Sequence, residues 1–359
     1  MLVIHIGPRK TATTYLQSNF YRSRKELLAK GWLYPVLSLK ARNAHHGVVS
    51  GLAGIRKGEG ALVRSIAKAG RVARKRGANI LISSESFRRW SAEDFVTLGE
   101  RFGQSEVVIV YALRDPADLL LSVWGETVKN GRAASLKHYV RKHLSDPEGS
   151  AVLNCLNELG PITDHPKLSL KVINFEALRK SGEDVFTAFC REILGLPDSK
   201  PAEERLRNPS FSPEINDFLR LIAKQTDYDP KGSELLFSRR FSRTHDAAEQ
   251  ARITETISRL GAGMREDVVI DRDASWYAGL EAKVYARLGS VIVPQPAQPE
   301  LFKRGTVRSY SYDIDALAAV PEIASLVETS IARMKTSRQR FGRTPVAAAW
   351  RYVRRLFSV

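Results

Sequence analysis

The sequence predicts an α/β protein built on a parallel sheet of about five strands. Three observations carry that expectation. Short runs apolar on both faces, such as residues 2–7 and 106–113 (EVVIVYAL), alternate with stretches of helical period. The helical stretches fall between consecutive strands, as crossover connections require. At 359 residues and 43% hydrophobic content, the chain can bury a sizeable core without disulfide or metal staples.

The elements follow in order. Residues 2–7 read as a buried strand running into a turn. A helical pattern extends from Thr13 to Lys30, with apolar Tyr15, Leu16, Phe20, Leu27 and Leu28, and Gly31 stops it. Trp32-Leu33-Tyr34-Pro35 is a short second strand, and residues 61–76 a very basic helix. Strands over 79–84 and 106–113 follow, then a helix from Pro116 to Lys129 and a fifth strand over 167–175 (KLSLKVINF). Past about residue 200 the pattern turns helical, over 213–225 and 246–260. The stretch 294–299 (PQPAQP) is a proline-rich linker, and 300–359 reads as a C-terminal extension. There is no internal repeat.

Composition narrows the functional classes. Lys and Arg number 56 against 39 Asp and Glu, a surplus of +17 that points to anionic partners. The two cysteines, Cys155 and Cys190, form no C-x-x-C pair, which excludes a disulfide framework or a cysteine zinc site as organising devices. The start of the sequence has no signal-peptide pattern, and no run of about 18 apolar residues occurs. The expectation is a cytoplasmic protein, with contact to a membrane face as an option.

The strongest local signal is the first turn, Gly7-Pro8-Arg9-Lys10-Thr11-Ala12-Thr13-Thr14. A strand–turn–helix junction aims backbone N–H groups and the positive end of the helix dipole at one spot. Lys10 adds a full charge, and three threonines add hydroxyl donors. The turn lacks the G-x-x-x-x-G-K-[ST] pattern of a Walker loop. Read alone, it is either an anion cradle or an ordinary Thr-capped helix start. The second signal is Leu113-Arg114-Asp115-Pro116. Arg114 closes a strand at the sheet edge where α/β proteins bind ligands, and its fork suits phosphate. Ser122 follows eight residues on, a little over two helical turns away. The bland alternatives are a capping Arg114–Asp115 pair and a solvated serine.

Together these motifs resemble the superfamily of sulfotransferases that use 3′-phosphoadenylyl sulfate (PAPS). That family carries a K-[ST]-G-T-T loop after its first strand, here Lys10-Thr11-Ala12-Thr13-Thr14, which holds the 5′-phosphosulfate. It also carries an arginine at a strand end and a serine eight positions later, here Arg114 and Ser122, which hold the 3′-phosphate. Phe175-Glu176-Ala177-Leu178 resembles the family's [YF]-E-x-L step, and Arg207-Asn208-Pro209-Ser210 a remnant of its third cofactor contact. The likeness covers about residues 1–215. It implies a three-layer P-loop-like fold and a catalytic domain over 1–299, with a cofactor-binding core over 1–215 and helical substrate-side segments over 216–293. It also implies PAPS as sulfuryl donor without a metal, a donor site formed by Arg9 to Thr14 with Arg114 and Ser122, and transfer to a hydroxyl or amine. Tyr15 matches an adenine-contacting position in many members, or else is a core aromatic. Ala12 replaces the family glycine. The expectation there is φ < 0, the glycine having supplied only closeness.

Lys10 would stabilise charge on the leaving phosphate oxygen, and a general base must take the acceptor proton. Glu85 falls at or next to the family's base position, or serves as a helix-start acid after Ser84. His45 and His46 are the other candidates; His5, inside the first strand, reads as core. Arg56, Lys57, Arg64, Lys68, Arg71, Arg74, Lys75 and Arg76 face one acid, Glu59. Leu62, Val63 and Ile66 form a core stripe, so the stretch is a solvated helix face or a rim that draws an anionic acceptor or the cofactor. Residues 329–359 are basic, with Val346, Trp350, Val353 and Phe357 on one face. They form a membrane-facing amphipathic helix, a partner site or a brace. The acceptor class expected is a small molecule, carbohydrate or glycolipid. A kinase-like phosphate enzyme and a non-enzymatic basic protein bound to membrane or nucleic acid are the competing classes. No nucleic-acid-binding signature supports the last.

Overall fold

The computed structural model describes residues 1–38, 43–202, 211–226, 237–295 and 300–341, with side chains to 335. The chain divides into two compact units, each discontinuous in sequence. The first is Met1–Leu120, His143–Asn208 and Asp271–Val307; the second is Leu121–Lys142, Pro209–Ile270 and the residues from Arg308 onward.

The first unit holds a six-stranded parallel sheet of β1 (Leu2–Gly7), β2 (Trp32–Leu33), β3 (Asn79–Ser83), β4 (Val107–Leu113), β5 (Leu168–Asn174) and β7 (Ile292–Val293). Their order is β2-β3-β1-β4-β5-β7. β7 is a sixth strand beyond the expected five. It has two residues, paired to Val172 and Ile173, too few to carry a periodic signal. Every residue of β1 and β4 is buried, as a strand covered by helices on both faces must be.

Successive side chains alternate between the two faces. Val3, Leu81, Val108, Val110 and Ile173 meet Leu16 and Phe20 of α1 (Thr13–Arg22) and Phe186 and Phe189 of a later helix, Val185–Leu194. The opposite face takes α2 (Ala61–Lys75) and α3 (Ala92–Phe102), which completes three layers. The helix expected over Thr13–Lys30 is broken at Ser23, whose N–H returns to Asn19 O; a short second helix covers Arg24–Ala29.

The chain leaves β1 toward β3 on one side and returns to β4 on the other. Strand order therefore reverses at β1, and connections diverge from its carboxyl end, where open α/β sheets form a crevice. The loops after β1, β3 and β4 all open there. A helix over Pro116–Lys129, α4, follows β4 with the expected bounds.

The second unit is mainly helical. Besides the later part of α4 it contains α5 (Pro213–Thr226), a helix over Phe237–Thr244, α6 (Ala247–Leu260) and α7 (Pro321–Phe341). Phe218, Phe237, Phe241, Ile257 and Val327 are buried within it. A separate two-stranded sheet pairs β6 (Arg265–Asp271) with β8 (Thr306–Tyr312). Residues 300–307, read from sequence as the start of an extension, lie in the first unit. There Leu301 and Phe302 are buried and their N–H groups both donate to Glu281 Oε1 at 2.7 Å. The Arg207–Ser210 segment and the tail's Val346, Trp350, Val353 and Phe357 lie outside the described residues. No helix among the described residues is long and apolar enough to cross a membrane.

Candidate active site

The loop between β1 and α1 winds through three left-handed residues: Gly7 at φ 105°, Lys10 at φ 70° and Ala12 at φ 58°. The expectation of φ < 0 at Ala12 is corrected. The chain must reverse sharply to enter α1, and Ala12 does so in the αL conformation while Leu16 N–H bonds its carbonyl at 3.0 Å. A non-glycine residue pays roughly 1–2 kcal/mol for that geometry. Thr11 is buried and donates its hydroxyl to Pro8 O at 2.7 Å, bracing the turn. Ala12 brings no side-chain oxygen to the start of α1, so no side chain at the N-cap competes for the first-turn N–H groups. Thr13 is buried, Thr14 and Lys10 half-buried, and Arg9 exposed.

Arg114 reaches this loop from the end of β4: its Nη1 donates to Lys10 O at 2.6 Å. The two sequence motifs thus meet. Burial lowers the Arg114 pKa from its ordinary value, against the pull of Asp118 and Glu176. Its buried Nε has no partner among the described residues, and the same holds for Glu176 Oε1 and Arg272 Nε. Asp115 does not pair with Arg114. It is fully buried and accepts from Tyr277 OH at 2.6 Å, the Lys303 N–H at 3.0 Å and Arg272 Nη2 at 3.1 Å. Asp118 pairs with Arg272 and Lys303, and Glu176 lies 3.3 Å from Lys303 Nζ and 3.6 Å from Arg179 Nη1. Ser122 is half-buried on α4, in the second unit.

Three base candidates sort themselves by hydrogen bonding. His45 is fully buried; its Nε2 donates to Pro35 O at 2.8 Å and its Nδ1 accepts the Ser83 N–H at 3.2 Å. Both nitrogens are committed, and desolvation pushes its pKa down to about 4, so the ring braces the end of β3. His46 is beside it. Ser84 Oγ accepts the Ser86 N–H at 3.2 Å and bonds His46 Nδ1 at 2.7 Å, and His46 Nε2 lies 3.8 Å from Glu85 Oε1. Glu85 is held on its other oxygen by Gln17 Nε2 at 3.1 Å. A Cβ at Gly7 would come within 3.2 Å of the Glu85 Cβ, so glycine lets the carboxylate sit close to the loop after β1. Glu85 and His46, alternatives in the sequence, form one cluster.

Tyr15, open in sequence between an adenine contact and a core aromatic, packs in the core. It is 5% exposed among Leu16, Phe20 and Phe186, and its hydroxyl donates to Asp184 Oδ2 at 2.7 Å. His5 is fully buried, with Nδ1 2.8 Å from Ser83 Oγ, and desolvation pushes its pKa down to about 4. Sequence reasoning missed Gln17, Arg179, Arg272, Tyr277 and Lys303. Gln17 stands four residues after Thr13, so helical spacing could have found it. The last three come from more than 150 residues beyond Arg114, beyond the reach of any local pattern. Among the described residues no group of three His, Cys, Asp or Glu could hold a metal ion. Comparison with family models, curated proteins and solved structures returns no match.

Proposed function

We propose that the chain is a PAPS-dependent sulfotransferase acting on a hydroxyl or amine, with a carbohydrate or glycolipid the favoured acceptor. The observation that carries this reading is the 2.6 Å bond from Arg114 to Lys10 O, which joins the two anion-binding motifs at the switch point of the sheet. The residues present suit a donor with two phosphate groups. The start of α1 and Lys10 offer N–H groups and a cation to the phosphosulfate, and Arg114, with Nε uncommitted, offers its fork to the 3′-phosphate. When bound, the donor supplies the sulfuryl group.

Glu85 is the base in this reading. As the acceptor oxygen bonds to sulfur and the sulfur–phosphate oxygen bond breaks, Glu85 takes the acceptor proton and Lys10 meets the charge that develops on the phosphate oxygen. Gln17 fixes the direction in which Glu85 points, and His46 lies beside its other oxygen. A membrane contact through residues 329–359 would bring the enzyme to a lipid-linked acceptor. The test is incubation with radiolabelled PAPS and acceptors grouped as carbohydrate, lipid and phenol. Label transferred to any group supports the reading; no transfer, together with tighter binding of ATP than of adenosine 3′,5′-bisphosphate, replaces it with a phosphoryl-transfer enzyme.

A further inference from the structure

Four basic residues of α2 have no part in the site above. Arg64, Lys68, Arg71 and Lys75 recur at steps of four, three and four, which puts them in one row along the helix. All four are exposed, while Val63, Ile66, Ala69, Gly70 and Ala73 on the other side are buried. α2 contains no acidic residue. Neighbouring cations are committed internally: Arg56 pairs with Asp94 at 2.7 Å, and Arg101 donates to Ile55 O at 3.0 Å and Arg56 O at 3.2 Å. Like charges one turn apart weaken a helix, so a row of four runs against local stability.

The surroundings decide what the row fits. α2 lies flush on its neighbour, since a Cβ at Gly70 would meet Phe102 O at 2.0 Å, and it does not stand proud as a groove-reading helix must. The large apolar side chains exposed among the described residues are Val36, Val72 and Val269, too few and too small to enter a bilayer or to stack bases. The row also has a direction. Leu62 packs so closely on Gly51 that a Cβ there would meet its Cδ2 at 2.3 Å, and Gly51 caps the short helix that begins at His46. The Arg64 end of the row therefore lies on the side of His46 and Glu85.

We infer that this face is a docking track for a linear anionic polysaccharide, whose carboxylate or sulfate groups pair with the four side chains as its chain leads toward Glu85. The choice of a polysaccharide rests on the sulfotransferase reading; the track rests on charge and placement. The full-length chain is titrated with a size-defined heparin oligosaccharide at fixed salt, with neutral dextran as control. Binding by the wild type, weakened about tenfold or more by Arg64→Ala/Lys68→Ala/Arg71→Ala/Lys75→Ala, supports the track, and the variant's salt dependence is expected to be shallower. Alanine at exposed helix positions preserves the fold, which a melting temperature no lower than that of the wild type verifies. Adenosine 3′,5′-bisphosphate affinity is measured on both proteins and is expected to be equal. Absence of nucleotide binding from both overturns the reading behind the choice of occupant. Equal oligosaccharide binding by wild type and variant overturns the track, as does a variant that loses more of its binding to phosphatidylglycerol vesicles or a single-stranded oligonucleotide than of its binding to the oligosaccharide.

Discussion

In the second unit Asp217 is buried against Arg220 and accepts the Tyr312 N–H at 2.7 Å, while Glu214 takes hydroxyls from Tyr310 at 2.8 Å and Tyr312 at 3.2 Å. His245 is closed in the same way by Ser330 Oγ at 2.9 Å. Among its described residues, the buried side-chain atoms left without a partner, Asn216 Oδ1 and Ser311 Oγ, belong to neutral groups. Among the described residues of the first unit, the orphans are the neutral Trp90 Nε1 and four atoms of ionisable side chains: His5 Nε2 inside β1, and Arg114 Nε, Arg272 Nε and Glu176 Oε1 around the carboxyl end of β4. Charge buried in a closed network holds a fold together; a buried charged group with a hydrogen-bonding atom left over has room for a water or a ligand. That contrast directs attention to the loop after β1 rather than to the more numerous basic residues elsewhere.

The contrast can be broken first by chemistry. Glu85→Gln keeps the shape of the site and removes the proposed base. Turnover is expected to fall about 10²–10⁴-fold with donor affinity intact, measured by label transfer to the acceptor found in the screen. Undiminished turnover would move the base role to another residue. In the second unit the expected damage is to stability. Arg220→Ala strands a buried carboxylate and should cost about 3–5 kcal/mol in chemical denaturation. A loss below about 1 kcal/mol would mean that the pair is not the closed network described.

Protonation sharpens the same comparison at a smaller scale. His5 and His45 hold out to about pH 4 in the folded chain and take a proton near 6.5 when unfolded. Their depressed values mean that stability present above about pH 6.5 is lost as pH falls toward 4, on the order of 3 kcal/mol for each histidine. Asp217, pushed up to about 6 by desolvation, acts in the opposite sense, because the folded chain then takes up its proton first. Ring-carbon NMR titration of the two histidines checks the assignment; a His45 midpoint near 6.5 contradicts its buried double hydrogen bond. Smallest is Ala12→Gly, which relieves αL strain and should raise stability by up to about 1 kcal/mol in thermal unfolding, glycine's chain entropy taking back the rest. A loss of stability would show that Ala12 is not strained.

Much of the first unit was legible in the sequence because its signals are local. Fully buried β1 and β4, and the helix Pro116–Lys129, stand where the apolar runs and helical periodicity placed them. The loop residues Lys10 to Thr14 and Arg114 announced themselves by position at strand ends. The break at Ser23 did not, because apolar spacing continues across it to Leu27. The conformation of Ala12 was misjudged because tertiary constraint, not propensity, sets it. Asp115's partners Arg272, Tyr277 and Lys303 could not be read at all, since only the folded chain brings them to β4. Glu85 and His46 were each legible as candidates, but their joining through Ser84 depends on β3 and the His46 segment meeting in space.

The central claim is that Lys10 and Arg114 form one anion site. Calorimetric titration of adenosine 3′,5′-bisphosphate against the wild type, Lys10→Ala and Arg114→Ala at fixed salt addresses it directly. Each variant is expected to lose about 1.5–3 kcal/mol of binding, the worth of a charged hydrogen bond to phosphate. Unchanged affinity in both variants, or no affinity in the wild type, would contradict the claim.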